Sequence, residues 1–439
     1  ATTTEPSSVA LDSGISKIYR RVVPFLAFMF VLSFLDRTNI GYVREYLQAD
    51  TGLTDAAYAF GAGVFFFGYA LFEVPSNMLL YRVGARRWLA RIMVTWGLVA
   101  ACMMFAHTQT TFYVLRFLLG VCEAGFYPGV VYYLTQWVPT KSRAGANAVF
   151  QCGAPLAFVF GGPITGWLLT ASGGWFWAGS QSWQVTFLVE GLAASVVGVI
   201  ALFYLPDAPR TAPQEAEAVE VALAAENEDK DRHGQASMLR ALVDWRVLYL
   251  CVVCFTIQVL GYGYNFYVPT VISSLLGRSV GFVVGVVTAV PAIVAVIGLL
   301  TIPRYAERIG SRRVVATAVY SCGALGIVAT AFLKNPVLAI IALCVAYLGH
   351  IVVQPLFWTA VSTFLTGGAA ASGIALIGAL GNLGGFVGPN IWVWAEKTFG
   401  STEASLLVLG AFAAVGTVLL GITRVVGIDR EHEVISAQK

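Results

Sequence analysis

Residues 112–134 read FYVLRFLLGVCEAGFYPGVVYYL, a stretch apolar enough to span a bilayer that nevertheless holds Arg116 and Glu123. Seven residues is nearly two helical turns, so the two side chains share one helix face about 10 Å apart along the axis. A charge at bilayer depth costs on the order of 3 kcal/mol and persists only where a cavity or partner receives it. The pair therefore points either to a working site or to an ion pair knitting two helices together.

Composition places the whole chain in the same solvent. Over 439 residues, 58% are hydrophobic and only 12% charged, and mean hydropathy is +0.75, outside the soluble range and within that of polytopic membrane proteins. A net charge of +3 without basic clusters interleaved with aromatics excludes a nucleic-acid partner. The seven cysteines all lie in apolar segments, so neither a disulfide framework nor a metal site is expected, and Cys251 and Cys254 read as packing. Residues 1–20 are polar and show no signal-peptide pattern, which makes the first span its own targeting signal.

Spans of roughly 20 apolar residues fall at 22–43, 58–80, 89–107, 110–136, 145–171 and 183–205, then at 246–274, 280–303, 311–333, 337–365, 371–396 and 403–424. Between the two sets of six, residues 206–245 open with PDAPRTAP and continue through a charged run that cannot span. The expected organisation is an all-α membrane protein of twelve transmembrane helices: a bundle over 1–205, a cytoplasmic linker over 206–245, and a second bundle with a tail over 246–439. With both termini inside, 21 of the 27 basic residues are cytoplasmic, among them Arg82, Arg86, Arg87, Arg308, Arg312 and Arg313. Only Arg44, Arg278, Lys334 and Lys397 remain outside, so the positive-inside rule sets both termini in the cytoplasm of a cell's inner (plasma) membrane.

The two halves repeat. YRVGARR (81–87) and ERIGSRR (307–313) are offset by 226 residues, and the same offset carries GGP (161–163) onto VGP (387–389). Two landmarks sharing one offset indicate a duplicated six-helix unit.

Six plus six spans, the RxGxRR loop in both halves, Arg116 with Gly120 in span 4, and Gly161, Gly162, Pro163 and Gly166 in span 5 together resemble the major facilitator superfamily. Within it, LDRTNIG (35–41), FGYALFEVPSN (67–77), GARRWLARIM (84–93) and RFLLGVCEAGFYPG (116–129) are similar to the anion:cation symporter family, whose bacterial members carry galactonate, tartrate, phthalate and hydroxyphenylacetate. The resemblance implies the major facilitator fold and a gating role for Arg82, Gly84, Arg86, Arg87, Glu307, Arg308, Gly310, Arg312 and Arg313. One departure is Tyr81, where the first-half loop of the family carries an acid that Glu307 keeps in the second half. The charge relay the motif implies is thus in question on the first side.

All intramembrane charges lie in the first half: Asp36, Arg37, Glu73, Arg116, Glu123 and Glu190. Two arginines suit a carboxylate, because guanidinium is a planar, permanently charged fork, and acids at this depth suit protons. Asp36 and Arg37 are neighbours and point about 100° apart, so they serve different partners. The resemblance nominates Arg37 for substrate, Asp36 and Glu123 for protons, and Arg116 as the partner that couples Glu123 to occupancy. Tyr69 is a further hydroxyl donor. Glu73, beside Pro75, and Glu190, read as close enough to the outer end of span 6 to reach interfacial water, are given structural roles.

The charge-free half offers Gln258, Tyr262, Trp358, Ser362 and Asn382, and span 5 adds Gln151; each reads either as a substrate contact or as packing, with the amides Gln151 and Asn382 favoured because an unpaired amide in hydrocarbon is costly. His350 is expected to be a packed, neutral residue. Several rings of span 7 (Tyr262, Tyr264, Phe266, Tyr267), with Trp358, are expected to converge on a central cavity and to favour an aromatic or compact acid over a sugar acid. Prolines interrupt spans 4, 5, 7, 8, 10 and 11.

The function expected is proton-coupled uptake of a small organic carboxylate by alternating access, with exchange or uniport of such anions as the alternative and a non-transporting receptor as a third class. No HExxH, GxSxG or phosphate-binding loop supports an enzyme. The expected partners are the organic anion, protons and the lipid bilayer, with no cofactor, no metal, no nucleic acid, and a monomer as the working unit.

Overall fold

A computed structural model of the chain describes residues 8–135, 140–206, 244–364, 368–426 and 428. The linker expected over 206–245 and the C-terminal tail therefore lie almost wholly outside the described residues. In the first half the helices are α1 (Ser8–Thr51), α2 (Asp55–Val83), α3 (Ala85–Cys102), α4 (Gln109–Glu123), α5 (Phe126–Thr135), α6 (Thr140–Gln151), α7 (Gly153–Ala171) and α8 (Ser182–Tyr204). In the second they are α9 (Trp245–Leu276), α10 (Phe282–Ile309), α11 (Arg312–Phe332), α12 (Pro336–Phe364), α13 (Gly368–Asn382), α14 (Gly384–Phe399) and α15 (Thr402–Gly421).

Twelve segments among the described residues are long and apolar enough to cross a membrane, from Arg20–Thr51 to Thr402–Gly421. The protein is a multi-pass helical membrane protein. Large apolar side chains such as Phe203, Leu325 and Phe332 stand exposed on the outside of the bundle while Asp36, Arg37, Arg116 and Glu123 are buried within it, the reverse of a water-soluble surface.

Three spans are in two pieces. Span 4 breaks between α4 and α5 at Ala124 and Gly125, the latter at φ +85°, and span 5 breaks at Cys152. A proline ring clashes with the carbonyl four residues before it. Pro128 and Pro155 stand four residues after Ala124 and Gln151, so both breaks sit within a residue of the carbonyl that the ring meets. Span 11 parts at Leu383, within the glycine run that precedes Pro389. By contrast α9, α10 and α12 run unbroken through Pro269, Pro291 and Pro355, so the expected interruption of those spans does not occur.

Glycine sets the closest crossings. A Cβ on Gly120 would come 2.0 Å from the carbonyl oxygen of Phe65, and one on Gly68 2.4 Å from that of Phe117, so α4 and α2 touch backbone to backbone. The glycine-proline motif of span 5 does the same across the halves: Gly162 and Gly166 of α7 meet Gly285 of α10 and Gly281, which caps its N-terminus. In the repeat, Gly388 of α14 packs on Gly263 of α9, and Phe386 of α14 fills the space beside Gly63 of α2.

Contacts between the halves join α7 to α10, α2 to α13 and α14, and α1 to α9. They concentrate at the end of the bundle where α1 finishes. There the Tyr42 hydroxyl shares a hydrogen bond with Thr288 (2.7 Å), Tyr46 donates to the Val280 carbonyl (2.6 Å), and the Arg44 guanidinium, paired with Asp55, lies 4.8 Å from the Tyr267 ring centre. At the opposite end α5 packs on α2, α3 and α6 of its own half.

Candidate functional site

Midway along α1, Ser33 and Arg37 are one turn apart and share a face. Glu123 ends α4 at the proline-forced break, which turns its carboxylate toward them. Arg37 Nη2 binds Glu123 Oε1 at 2.5 Å, and the Ser33 hydroxyl donates to the same oxygen at 2.5 Å. Arg37 Nη1 donates to the Tyr262 hydroxyl of α9 at 2.9 Å, so one guanidinium joins the two halves of the chain. The rings of Phe65, Tyr69 and Phe34 surround it, with centres 5.1, 5.3 and 5.6 Å from Cζ. Glu123 is 1% exposed, and the pair leaves Arg37 Nε and Glu123 Oε2 without hydrogen-bond partners.

Removing one member of such a buried pair costs about 3–5 kcal/mol, because the other is left charged and dry. A new anion on Arg37 therefore has to be matched by a change at Glu123. The arrangement can exchange one carboxylate for another at the guanidinium and move a proton onto the one displaced.

Arg116 is placed differently from the sequence reading. Its Nε and Nη2 donate to the carbonyls of Gly61 (3.3 Å) and Ala62 (3.0 Å) on α2, and its guanidinium lies over Phe65 at 5.2 Å. The glycine-mediated contact of α2 with α4 brings those carbonyls within reach. Arg116 braces the two helices, and the partner of Glu123 is Arg37.

On the opposite face of α1, Asp36 Oδ2 accepts from the Trp96 indole of α3 at 2.7 Å. Asn39, one turn on, donates to Glu190 of α8 at 2.8 Å, and the Thr165 hydroxyl of α7 donates to the other oxygen of Glu190 at 2.6 Å. Glu190 is 4% exposed, which overturns the expectation that it reaches interfacial water. The cause is Gly191, whose absent side chain lets α8 press onto the Gly97–Ala101 turn of α3. Glu73 is half-buried one turn from Tyr69.

In the second half, Gln258 lies one turn from Tyr262 and donates to Asn382 of α13 at 3.1 Å. Trp358 is half-buried with its ring edge-on to Phe357, and Gln151 is half-buried at the break of span 5. Ser362 is exposed and bonds back to the Thr359 carbonyl. Of the rings expected to converge, Tyr262 alone bonds Arg37. Tyr264 stacks on Tyr347 at 4.9 Å and Tyr267 on Trp392 at 4.5 Å, both committed to packing, while Phe266 lies against Phe66. His350 is buried beside Gln354 and under Gly261, packed as its sequence setting indicated. Among the described residues no Asp, Glu, Lys or Arg is buried in the second half.

Ser33 and Asn39 were not singled out from sequence. Spacing alone carries the signal, since Ser33 is four residues before Arg37 and Asn39 three after Asp36. The repeated loops turn on glycine in both halves: Gly84 at φ +93° ends α2 and Gly310 at φ +69° ends α10. Arg313 donates to the Gly421 carbonyl of α15 at 2.8 Å. The side chain of Tyr81 lies outside what is described.

A family model described as Major Facilitator Superfamily matches residues 26–389. The chain belongs to the major facilitator superfamily. This facilitator is 41% identical over 428 residues to the inner membrane transport protein RhmT of Escherichia coli, covering 95% of this chain and 97% of that one. It is 39% identical over 406 residues to a putative tartrate transporter of Agrobacterium vitis, covering 92% and 89%. Its fold matches the partially occluded inward open conformation of the xylose transporter XylE from E. coli with a TM-score of 0.71 at 13% identity, over 92% and 97% of the two chains. The facilitator is a transporter and not an enzyme, and its relatives fit the symporter family that the span 1, 2 and 4 motifs resemble.

Proposed function

We propose that the protein imports a small hydroxylated organic carboxylate together with protons. The observation that carries this reading is the Arg37–Glu123 bridge with its third partner, Tyr262, on the other half of the chain. A substrate carboxylate that takes the Arg37 fork displaces Glu123. The displaced carboxylate is then buried without a cation and is neutralised by a proton, so substrate and proton enter together. Releasing the substrate on the other side restores the bridge and expels the proton.

The site's polar groups support a hydroxylated acid over an aromatic one. Ser33, Tyr262, Gln258 and Asn382 offer hydroxyls and amides, whereas Tyr264 and Tyr267 are occupied in stacking. The relative named as a putative tartrate transporter supports the same class.

In this reading residues 1–205 and 246–439 rock against one another about the Arg37 site, joined through 206–245, in a monomer of the inner membrane with both termini cytoplasmic. The end closed by α7 and α10 is then the outer one, and the basic loops around Gly84 and Gly310 govern the inner one. The test is accumulation by proteoliposomes of labelled tartrate, a six-carbon aldonate and phthalate, with and without an inward proton gradient. Gradient-driven accumulation of a hydroxy acid ahead of phthalate supports the reading. Gradient-independent exchange alone, or a preference for phthalate, overturns it.

A further inference from the structure

The Arg37–Glu123 pair uses one face of α1. The other face carries a second buried acidic group that the transport cycle above leaves unused. Glu190 is enclosed by α1, α3 and α7. The titratable and polar groups around it are Asp36, Asn39 and Tyr42 from α1 and Thr165 from α7. From α3, the Trp96 indole is spent on Asp36. Among the described residues neither Asp36 nor Glu190 has an ion-pair partner, while Asp36 Oδ1 and Asn39 Oδ1 are buried with no hydrogen-bond donor. Two neighbouring carboxylates at 3% and 4% exposure, without a cation, do not both stay charged in a bilayer interior.

The hydrogen bonds around Glu190 have room for that proton. A protonated carboxyl needs one acceptor, and a threonine hydroxyl both donates and accepts. Thr165 Oγ1 donates to one Glu190 oxygen at 2.6 Å, and by turning its hydroxyl can instead accept from a Glu190 O–H, while Asn39 Nδ2 donates to the other oxygen at 2.8 Å.

We propose that Glu190, held by Thr165 and Asn39, is a second proton-carrying site, on the opposite side of α1 from Glu123. The proposal rests on the proton-coupled reading above. The two sites are yoked through one helix, because Arg37 and Asn39 are two residues apart on α1. A movement of α1 that parts Arg37 from Glu123 also shifts Asn39 against Glu190. Loss of the proton breaks the Glu190 O–H bond, leaves the electron pair on the carboxylate and passes the proton to water.

The test is infrared spectroscopy of the purified protein in lipid nanodiscs at neutral pH, without substrate, so that it stands apart from the uptake assay. The wild type is expected to show the C=O stretch of a protonated carboxylic acid that shifts on transfer to D2O. Glu190→Gln, which keeps both hydrogen-bonded neighbours, loses that band. Thr165→Val, close in volume, moves it to higher frequency by removing the acceptor. A wild type without the band, as an ionised Glu190 on a sodium ion would give, overturns the proposal. So does a band that survives Glu190→Gln, ignores Thr165→Val or never exchanges. If the Glu190 band behaves as expected while uptake ignores the proton gradient, the proton site stands and the symport reading falls.

Discussion

Arg37 on α1 and Glu123 at the end of α4 form a buried ion pair at 2.5 Å, 86 residues apart in the chain, and the same guanidinium bonds Tyr262 on the far half at 2.9 Å. The only contact needed to sense both an anion and the relative position of the two halves is therefore one side chain.

Lysine at this position keeps the charge and loses the fork. Arg37→Lys gives up the simultaneous bonds to Glu123 and Tyr262, each charge-assisted. Loss of one such bond, about 2 kcal/mol, weakens substrate binding roughly thirtyfold. Tyr262→Phe removes the acceptor of the second of these bonds and is expected to cost about the same, roughly thirtyfold. Binding measured by scintillation proximity or calorimetry checks both, and unchanged affinity in Arg37→Lys removes Arg37 from the carboxylate site.

Arg116 is expected to act on stability. Arg116→Ala strips the donors to the Gly61 and Ala62 carbonyls and leaves a gap over Phe65. Thermal unfolding in detergent should show a loss of about 3 kcal/mol, with proton coupling intact in the protein that remains folded. Normal stability combined with lost coupling would return Arg116 to the proton path.

Closure of the α7–α10 end depends on having no side chain there. A Cβ on Gly285 would stand 2.1 Å from the Gly162 carbonyl oxygen. Gly285→Ala is expected to hold the two halves apart at this end and to cut uptake at least tenfold. Spin-label distances between Thr51 and Leu276 positions check the separation, and a wild-type distance distribution with normal uptake would show that the crossing is slack.

The twelve spans were legible because a bilayer demands about 20 apolar residues whatever the tertiary structure. Proline marked the breaks at Ala124 and Cys152, four or three residues before Pro128 and Pro155, but not the continuity of α9, α10 and α12 through Pro269, Pro291 and Pro355, so where a proline span parts was legible only in part. The partner of Glu123 was not. The i, i+7 relation with Arg116 is a fact about one helix, whereas the break after Glu123 and the glycine-lined contact of α2 with α4 are facts about three. They turn Arg116 to carbonyls and Glu123 to α1. Glu190 was misjudged for a similar reason, since its depth depends on Gly191 meeting α3 rather than on its position along α8. Rings on α9 gave the right composition for a binding face, but a helix wedged among α1, α12 and α14 presents different rings to each.

The central claim is that Glu123 takes a proton when substrate takes Arg37. Glu123→Gln reproduces the protonated shape and cannot release a proton. In proteoliposomes preloaded with the hydroxy acid that the wild type accumulates, the variant is expected to exchange internal for external label yet fail to accumulate it under an inward proton gradient. Accumulation by Glu123→Gln at the wild-type rate would contradict the account.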